Sequence, residues 1–398
     1  MVAGLLRRKK NINSKVITFC FLIIFFIFLY FFNNIERVEL VNSSGTSYVK
    51  AVVNEIVEDN IQEDGSRIGY QKVMLKVLSG KLKGQLIEGT SFAGYLYGAD
   101  CTVGMKVIAS ISKYEDNASA AVYSYDRSNI IYIFVGLFLL MLWIIGGKKG
   151  FKSAIGLVFT FICIIYLFLP MLYKGYSPFL SAVIVIILIT IVSLYLIDGI
   201  TKKSISAMIG TIIGVIIAGI CAAGFGYVAK ISGYNVSEVE ELVFVANNTE
   251  LKVGGILFSA ILIASLGAVM DVSITVNSAV NELVNAAKSI TLKQLIKSIR
   301  EIGHDIMGTM INVLMFSYIG GSLSIVILKI INGYNFQRLI QFDISFEIIR
   351  FLVGSIGIVS AVPISACVAL LFFRKGMSKN DSVANNSIAD VNDSSRRR

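Results

Sequence analysis

The sequence predicts an α-helical integral membrane bundle of about eight transmembrane helices, both termini cytoplasmic, with a small extracytoplasmic β-rich domain after the first span. Three observations lead there. Hydrophobic residues make up 55% of the chain and charged residues only 16%, whereas soluble domains run nearer a quarter charged. Apolar runs recur along most of the chain, at lengths near the ~20 residues that cross a bilayer. Lys and Arg gather beside those runs, where they set orientation. The net charge of +10 is therefore a topology signal, and no nucleic-acid partner is expected.

Taken in order, Arg7, Arg8, Lys9, Lys10 and Lys15 precede an apolar run over residues 16–32. That run ends in Phe31, Phe32, Asn33 and Asn34, without a small-residue cleavage site, so it is expected to be an uncleaved anchor. Residues 33–128 alternate or run in β-branched and aromatic residues through SYVKAVVNEIV, YQKVMLKVL, KVIASISK and SAAVYSY, with Gly, Asp and Asn clusters between. This predicts about five short strands in a small barrel or sandwich of OB-like kind, an interaction or structural module lacking a basic groove. The spacing then predicts a membrane domain over 129–373. Its seven spans lie near 130–145, 154–169, 179–197, 205–229, 254–278, 305–330 and 348–373, and a disordered cytoplasmic tail follows over 374–398.

Within that domain, Gly210, Gly214, Ala218 and Ala222 recur at four-residue spacing, which lets helices approach closely and predicts a packing spine. SEVE near Ser237 fits a capping box opening a short outside helix. Thr291 and Gln294 fit another, before an amphipathic basic segment with Lys293, Lys297 and Arg300 on one face. Gly303 is expected to end that helix, which would lie flat on the inner leaflet.

The chain is organised around residues 254–323, where two apolar segments carry acidic groups. Asp271 shares a helical face with Gly267, Ala268, Thr275, Ser278 and Glu282, and Asp305 shares one with Gly308, Thr309 and Asn312. A carboxylate near hydrocarbon costs several kcal/mol by most estimates, so two on neighbouring spans mark a working surface or a buried helix contact. Both are expected near the membrane boundary. The five cysteines show no pairing or metal-ligand spacing, and the only histidine is His304. No metal, cofactor or Ser-His-Asp centre is expected.

At GAVMDVSITVNSAVNEL and GHDIMGTMINVLMFSYIGGSL the sequence resembles the YibE/F-like family of bacterial membrane proteins. The resemblance rests on Met270, Asp271, Asn281, Glu282, Asp305, Met307, Gly308, Thr309, Asn312, Tyr318, Gly320 and Gly321. Family members often carry Arg where this chain has His304. The resemblance implies a multi-pass protein of a bacterial cytoplasmic membrane and, as partner, a second YibE/F-like subunit or a further copy of this chain; it implies no settled activity.

Three uses of the acidic spans follow. In a transporter or permease component, Asp271 and Asp305 carry a proton or cation while Thr275, Thr309 and Asn312 supply hydrogen bonds, with Glu282 and His304 at the segment ends. In an intramembrane aspartic protease the two carboxylates share a proton, but the Gly-x-Gly-Asp signature is absent, since Ala268, Val269 and Met270 precede Asp271. In a non-catalytic scaffold the working surface is the outside domain.

Overall fold

The structure, a computed structural model, describes Cys20 and residues 22–35, 46–62, 69–92, 98–114, 117–231, 239–286, 291–340 and 344–396. The chain divides into two compact units, Val38–Ile145 and the remainder.

The first unit contains a five-stranded barrel made of β1 (Thr46–Glu58), β2 (Gln71–Val77), β3 (Leu86–Ser91), β4 (Lys106–Tyr114) and β5 (Asn117–Tyr125). It closes in the order β1-β2-β3-β5-β4, with β3 and β5 parallel and the other pairs antiparallel, an OB-type arrangement. Alternate residues point inward: Val49, Ala51 and Val53 of β1, Val73, Leu75 and Val77 of β2, Val107, Ala109 and Ile111 of β4. β3 joins β5 at Gly89, where a Cβ would come 3.0 Å from both the Ala120 carbonyl and Leu75 Cδ1. Only glycine leaves room for that closure.

Two buried polar side chains hold the segment between β3 and β4. Gln71 accepts the Cys101 N–H at 2.9 Å and donates to the Cys101 carbonyl at 3.3 Å. Ser91 donates to the Ala99 carbonyl at 2.6 Å and accepts its N–H at 3.0 Å. After β5, the Asp126 carboxylate accepts the Ser128 N–H at 3.0 Å and pairs with Lys50 Nζ at 3.2 Å, its side chain only 4% exposed. Hydrogen bonding from Ser128, then from Lys50, holds that carboxyl below its ordinary range.

Among the described residues, six helical stretches are long and apolar enough to cross a membrane, and Leu22–Phe32 (α1) is a shorter apolar helix. Between the spans expected at 130–145 and 154–169 the helical backbone breaks at a single residue. The helix α2 (Ser128–Cys163) is interrupted only at Gly147, whose φ of 53° and ψ of −135° leave the helix. Such an angle suits glycine, so one residue replaces a loop.

A π-helical turn, Ile164–Phe168, leads from α2 into α3 (Leu169–Tyr173), with Pro170 inside the helical run. Proline cannot donate to the carbonyl four residues back, and a wider turn relieves the clash of its ring. The carbonyl so freed, that of Tyr166, accepts from Asn33 Nδ2 at 2.7 Å, and the same amide donates to Leu29 O at 2.7 Å. One asparagine thus ties the end of α1 to the proline step, where an unsatisfied carbonyl in hydrocarbon would cost several kcal/mol. Phe25 against Phe159, with ring centroids 5.4 Å apart, and Lys174 3.9 Å from the Phe32 ring centre reinforce the tie.

The bundle continues with α4 (Pro178–Asp198), α5 (Lys202–Val228), α6 (Val239–Asn248), α7 (Ile256–Ala286), α8 (Leu292–Ile331), α9 (Phe336–Arg338) and α10 (Ser345–Arg396). Thr201 caps α5 by accepting the Ser204 N–H at 3.0 Å. Asp198 meets Lys203 at 3.1 Å and Lys149 at 3.9 Å. The capping box expected at Ser237 lies outside the described residues.

At the centre, α5, α7 and α10 pack on small residues. Gly210, Gly214, Ala218 and Ala222 are buried. A Cβ on Gly210 would fall 2.2 Å from Ser365 Oγ, and one on Gly214 2.9 Å from Val269 Cγ1 and 3.3 Å from Ala361 Cβ. Gly357 of α10 answers with Val269 and Ala218 at 3.0 and 3.2 Å.

One expectation is corrected. Gly303 does not end a helix, because α8 runs unbroken from Leu292, capped by the Thr291–Gln294 box. Gly303 is instead a packing residue whose Cβ would lie 2.5 Å from Val362 Cγ1. The helix α10 extends as far as Arg396. Beyond Gly376 it has neither proline nor glycine, and extending an existing helix avoids the cost of nucleation.

Candidate functional site on two acidic helices

The two acidic segments form α7 and α8, and each helix has two unlike faces. On α7 the buried side carries Leu262, Leu266, Val269, Val272, Val276 and Val280, which belong to the bundle core. The opposite side exposes Gly267, Asp271, Thr275 and Glu282, with Ser278 half-buried. Asp271 sits at the middle of α7, since the helix continues to Ala286 instead of stopping near residue 278. Core burial against α5 and α10 sets the rotation of α7, and the helical repeat then fixes Asp271 outward.

On α8, Leu295, Ile299, Gly303 and Leu314 are buried. Asp305, Gly308, Thr309, Asn312, Gly320 and Gly321 are exposed, as is His304. Only 6% of the most apolar stretch of α8 is buried, against 33% to 50% in the other five long stretches. Nothing outside the helix comes within 4 Å of where a Cβ would stand on Gly267, Gly308, Gly320 or Gly321.

The hydroxyls beside the carboxylates are committed to their own helices. Thr275 donates to the Asp271 carbonyl at 2.8 Å, Ser278 to Ile274 at 2.7 Å, and Thr309 to the carbonyls of Asp305 and Ile306 at 3.1 and 3.0 Å. Their remaining capacity is to accept. The side chains of Asp271, Asp305 and Asn312 have no hydrogen bond or ion pair among the described residues. Chemically these faces present oxygen acceptors suited to a proton or a cation.

Sequence reasoning passed over the buried polar groups on the other side of α7. Asn277 donates to the Ser273 carbonyl at 2.8 Å. Its Oδ1 and Ser273 Oγ, with Ser206 Oγ and Ser365 Oγ, are buried without a partner among the described residues. The four-residue spacing of Ser273 and Asn277 was the available signal. Acidic groups drew the eye to the face of Asp271 instead.

Among the described residues, no group of three or more His, Cys, Asp or Glu side chains could hold a metal ion. Fold and site together define a membrane-embedded helical protein with a small β-barrel domain. The chain belongs to the YibE/F-like protein family, which matches residues 134–375. No curated protein and no solved structure matches it.

Proposed function

We propose that the protein is a transport or permease component of a bacterial cytoplasmic membrane, using Asp271 and Asp305 to carry a proton or cation. The observation that carries this reading is a pair of outward acidic stripes on two apolar helices, with neither carboxylate engaged by the described residues. Lipid is a poor neighbour for such groups, so the reading includes a partner that covers them: a second YibE/F-like subunit or a second copy. Thr275, Thr309 and Asn312 supply further oxygen ligands, and Glu282 and His304 flank the route.

The topology we propose has eight crossings. Ser128–Tyr173, with 46 residues, would extend about 69 Å as a straight helix, more than twice a ~30 Å hydrocarbon core, and so supplies two of them. The segments before α1 and after Phe372 are then cytoplasmic, and residues 33–128 extracytoplasmic. A single cysteine introduced at Lys83 should react with a membrane-impermeant maleimide on intact cells; protection until the cells are opened contradicts this orientation.

A second reading, a scaffold acting through the outside domain, is favoured by the closed barrel, an architecture suited to binding surfaces. A protease is less well supported, because Asp271 and Asp305 do not hydrogen-bond each other and a proton-sharing pair requires contact. Proton and cation flux through the purified protein in liposomes separates the first two readings. Flux that Asp271→Asn abolishes supports transport, and a wild type that stays flux-free with its partner subunit also present supports the scaffold.

A further inference from the structure

A groove of about 420 Å³ runs between α8 and α10, walled by apolar side chains that include Ile296, Ile299, Val362 and Leu370. Two cationic or proton-bearing groups, Arg300 and His304, line it as well. They stand four residues apart on one face of α8, and Lys293 and Lys297 precede Arg300 at intervals of four and three residues. All four are exposed, so a basic stripe descends the helix and meets the groove. Among the described residues, Glu301 pairs with Lys297 at 3.9 Å, and Arg300 has no ion pair. The stretch of α10 that lines the groove, residues 359–370, carries no charged side chain.

The α10 wall adds an acceptor. Pro363 has no N–H, so the Val359 carbonyl lacks its usual helical donor, and both residues line the groove.

We propose that this groove is a binding site for one anionic phospholipid. An acyl chain lies along Ile299, Val362 and Leu370, and the phosphate is held by the Arg300 fork and the His304 N–H. A guanidinium matches phosphate geometry with paired donors. A free anion would leave the apolar walls unused, and a zwitterionic lipid would bring a second cation to a basic stripe. Basic pockets between spans at a membrane face are the recognised setting for such headgroups. This inference does not rest on the transport reading, since a structural lipid occupies the same groove.

The test is native mass spectrometry of the full chain in mild detergent, with dioleoyl-phosphatidylglycerol and dioleoyl-phosphatidylcholine added in turn. The wild type should retain the anionic lipid about fivefold better or more, one basic contact near a membrane surface being worth roughly that factor. Arg300→Gln should bring the ratio close to one. Cys367→Trp, which fills the groove and leaves its charges alone, should reduce retention of both lipids, whereas Lys252→Gln should change neither. Equal retention of the two lipids by the wild type would overturn the proposal. So would inorganic phosphate matching the anionic lipid in raising the thermal midpoint, or a dimer mass that displaces lipid.

Discussion

Three glycines of α5 and three of α8 are the same residue in opposite surroundings. On α5, Gly210, Gly214 and Gly219 each have a side chain within 2.2 to 3.1 Å of where a Cβ would stand. On α8, Gly308, Gly320 and Gly321 have nothing within 4 Å. Small residues allow close approach in both places. On α5 the approaching surface belongs to this chain; at these three positions of α8 no described residue supplies one. The polar residues divide in the same way, with Ser365 and Ser273 facing the core and Asp271, Asp305 and Asn312 facing out. One face holds the fold, and the other is open among the described residues.

The largest expected effect breaks the packed face. Gly210→Val drives two methyl groups toward Ser365, whose Cα would lie 3.2 Å from the new Cβ. It should cost about 3 kcal/mol, the upper end for overpacking, or abolish folding, read as the thermal midpoint in detergent. An unchanged midpoint would mean that α5 and α10 are not in contact.

Gly303→Ala should cost about 1–2 kcal/mol through Val362. Val362→Ala in the same chain should recover most of that loss, and failure to recover it would return Gly303 to a role at a helix end.

Asp126→Asn probes the other unit and should lower its stability by about 1 kcal/mol, through loss of a charge-assisted bond to Ser128 and the pair with Lys50. Because the folded pKa is lowered, the wild-type contribution is fully present above the ordinary carboxylate value. It fades as pH falls through the folded value. The gap between wild type and variant should therefore narrow in acid, and a gap that widens there would contradict the assigned contacts.

The smallest effect is expected on the open face. Gly320→Ala should move the thermal midpoint of the monomer by less than ~0.5 kcal/mol equivalent, while weakening any assembly measured by light scattering. A large loss of monomer stability would show that the open face packs within the chain.

Much of this division was legible in the sequence, for reasons of periodicity. The four-residue spacing from Gly210 to Ala222 marks a close-packed face, and i, i+4 arithmetic puts Asp271, Thr275 and Glu282 on one stripe. Alternation in SYVKAVVNEIV and KVIASISK revealed β1 and β4. β3 was not legible, because LIEGTS contains a glycine selected by barrel closure and little β-branched character. The continuity of α8 was hidden as well. Gly303 beside charged residues looks the same whether it ends a helix or admits Val362, and only tertiary contact separates the two. The π-helical turn at Ile164–Phe168 depends on a distant asparagine, Asn33, supplying the donor that Pro170 lacks. Local patterns carry no trace of such a partner.

We propose that the face of Asp271 and Asp305 works while the face of Gly210 supports. Ion flux per folded protein and thermal midpoint, measured on the same liposome preparations, test it directly. Asp271→Asn and Asp305→Asn should lose flux at an unchanged midpoint, and Gly210→Ala should lower the midpoint at unchanged flux. Aspartate variants that keep full flux, or lose it only in step with their stability, would contradict the claim.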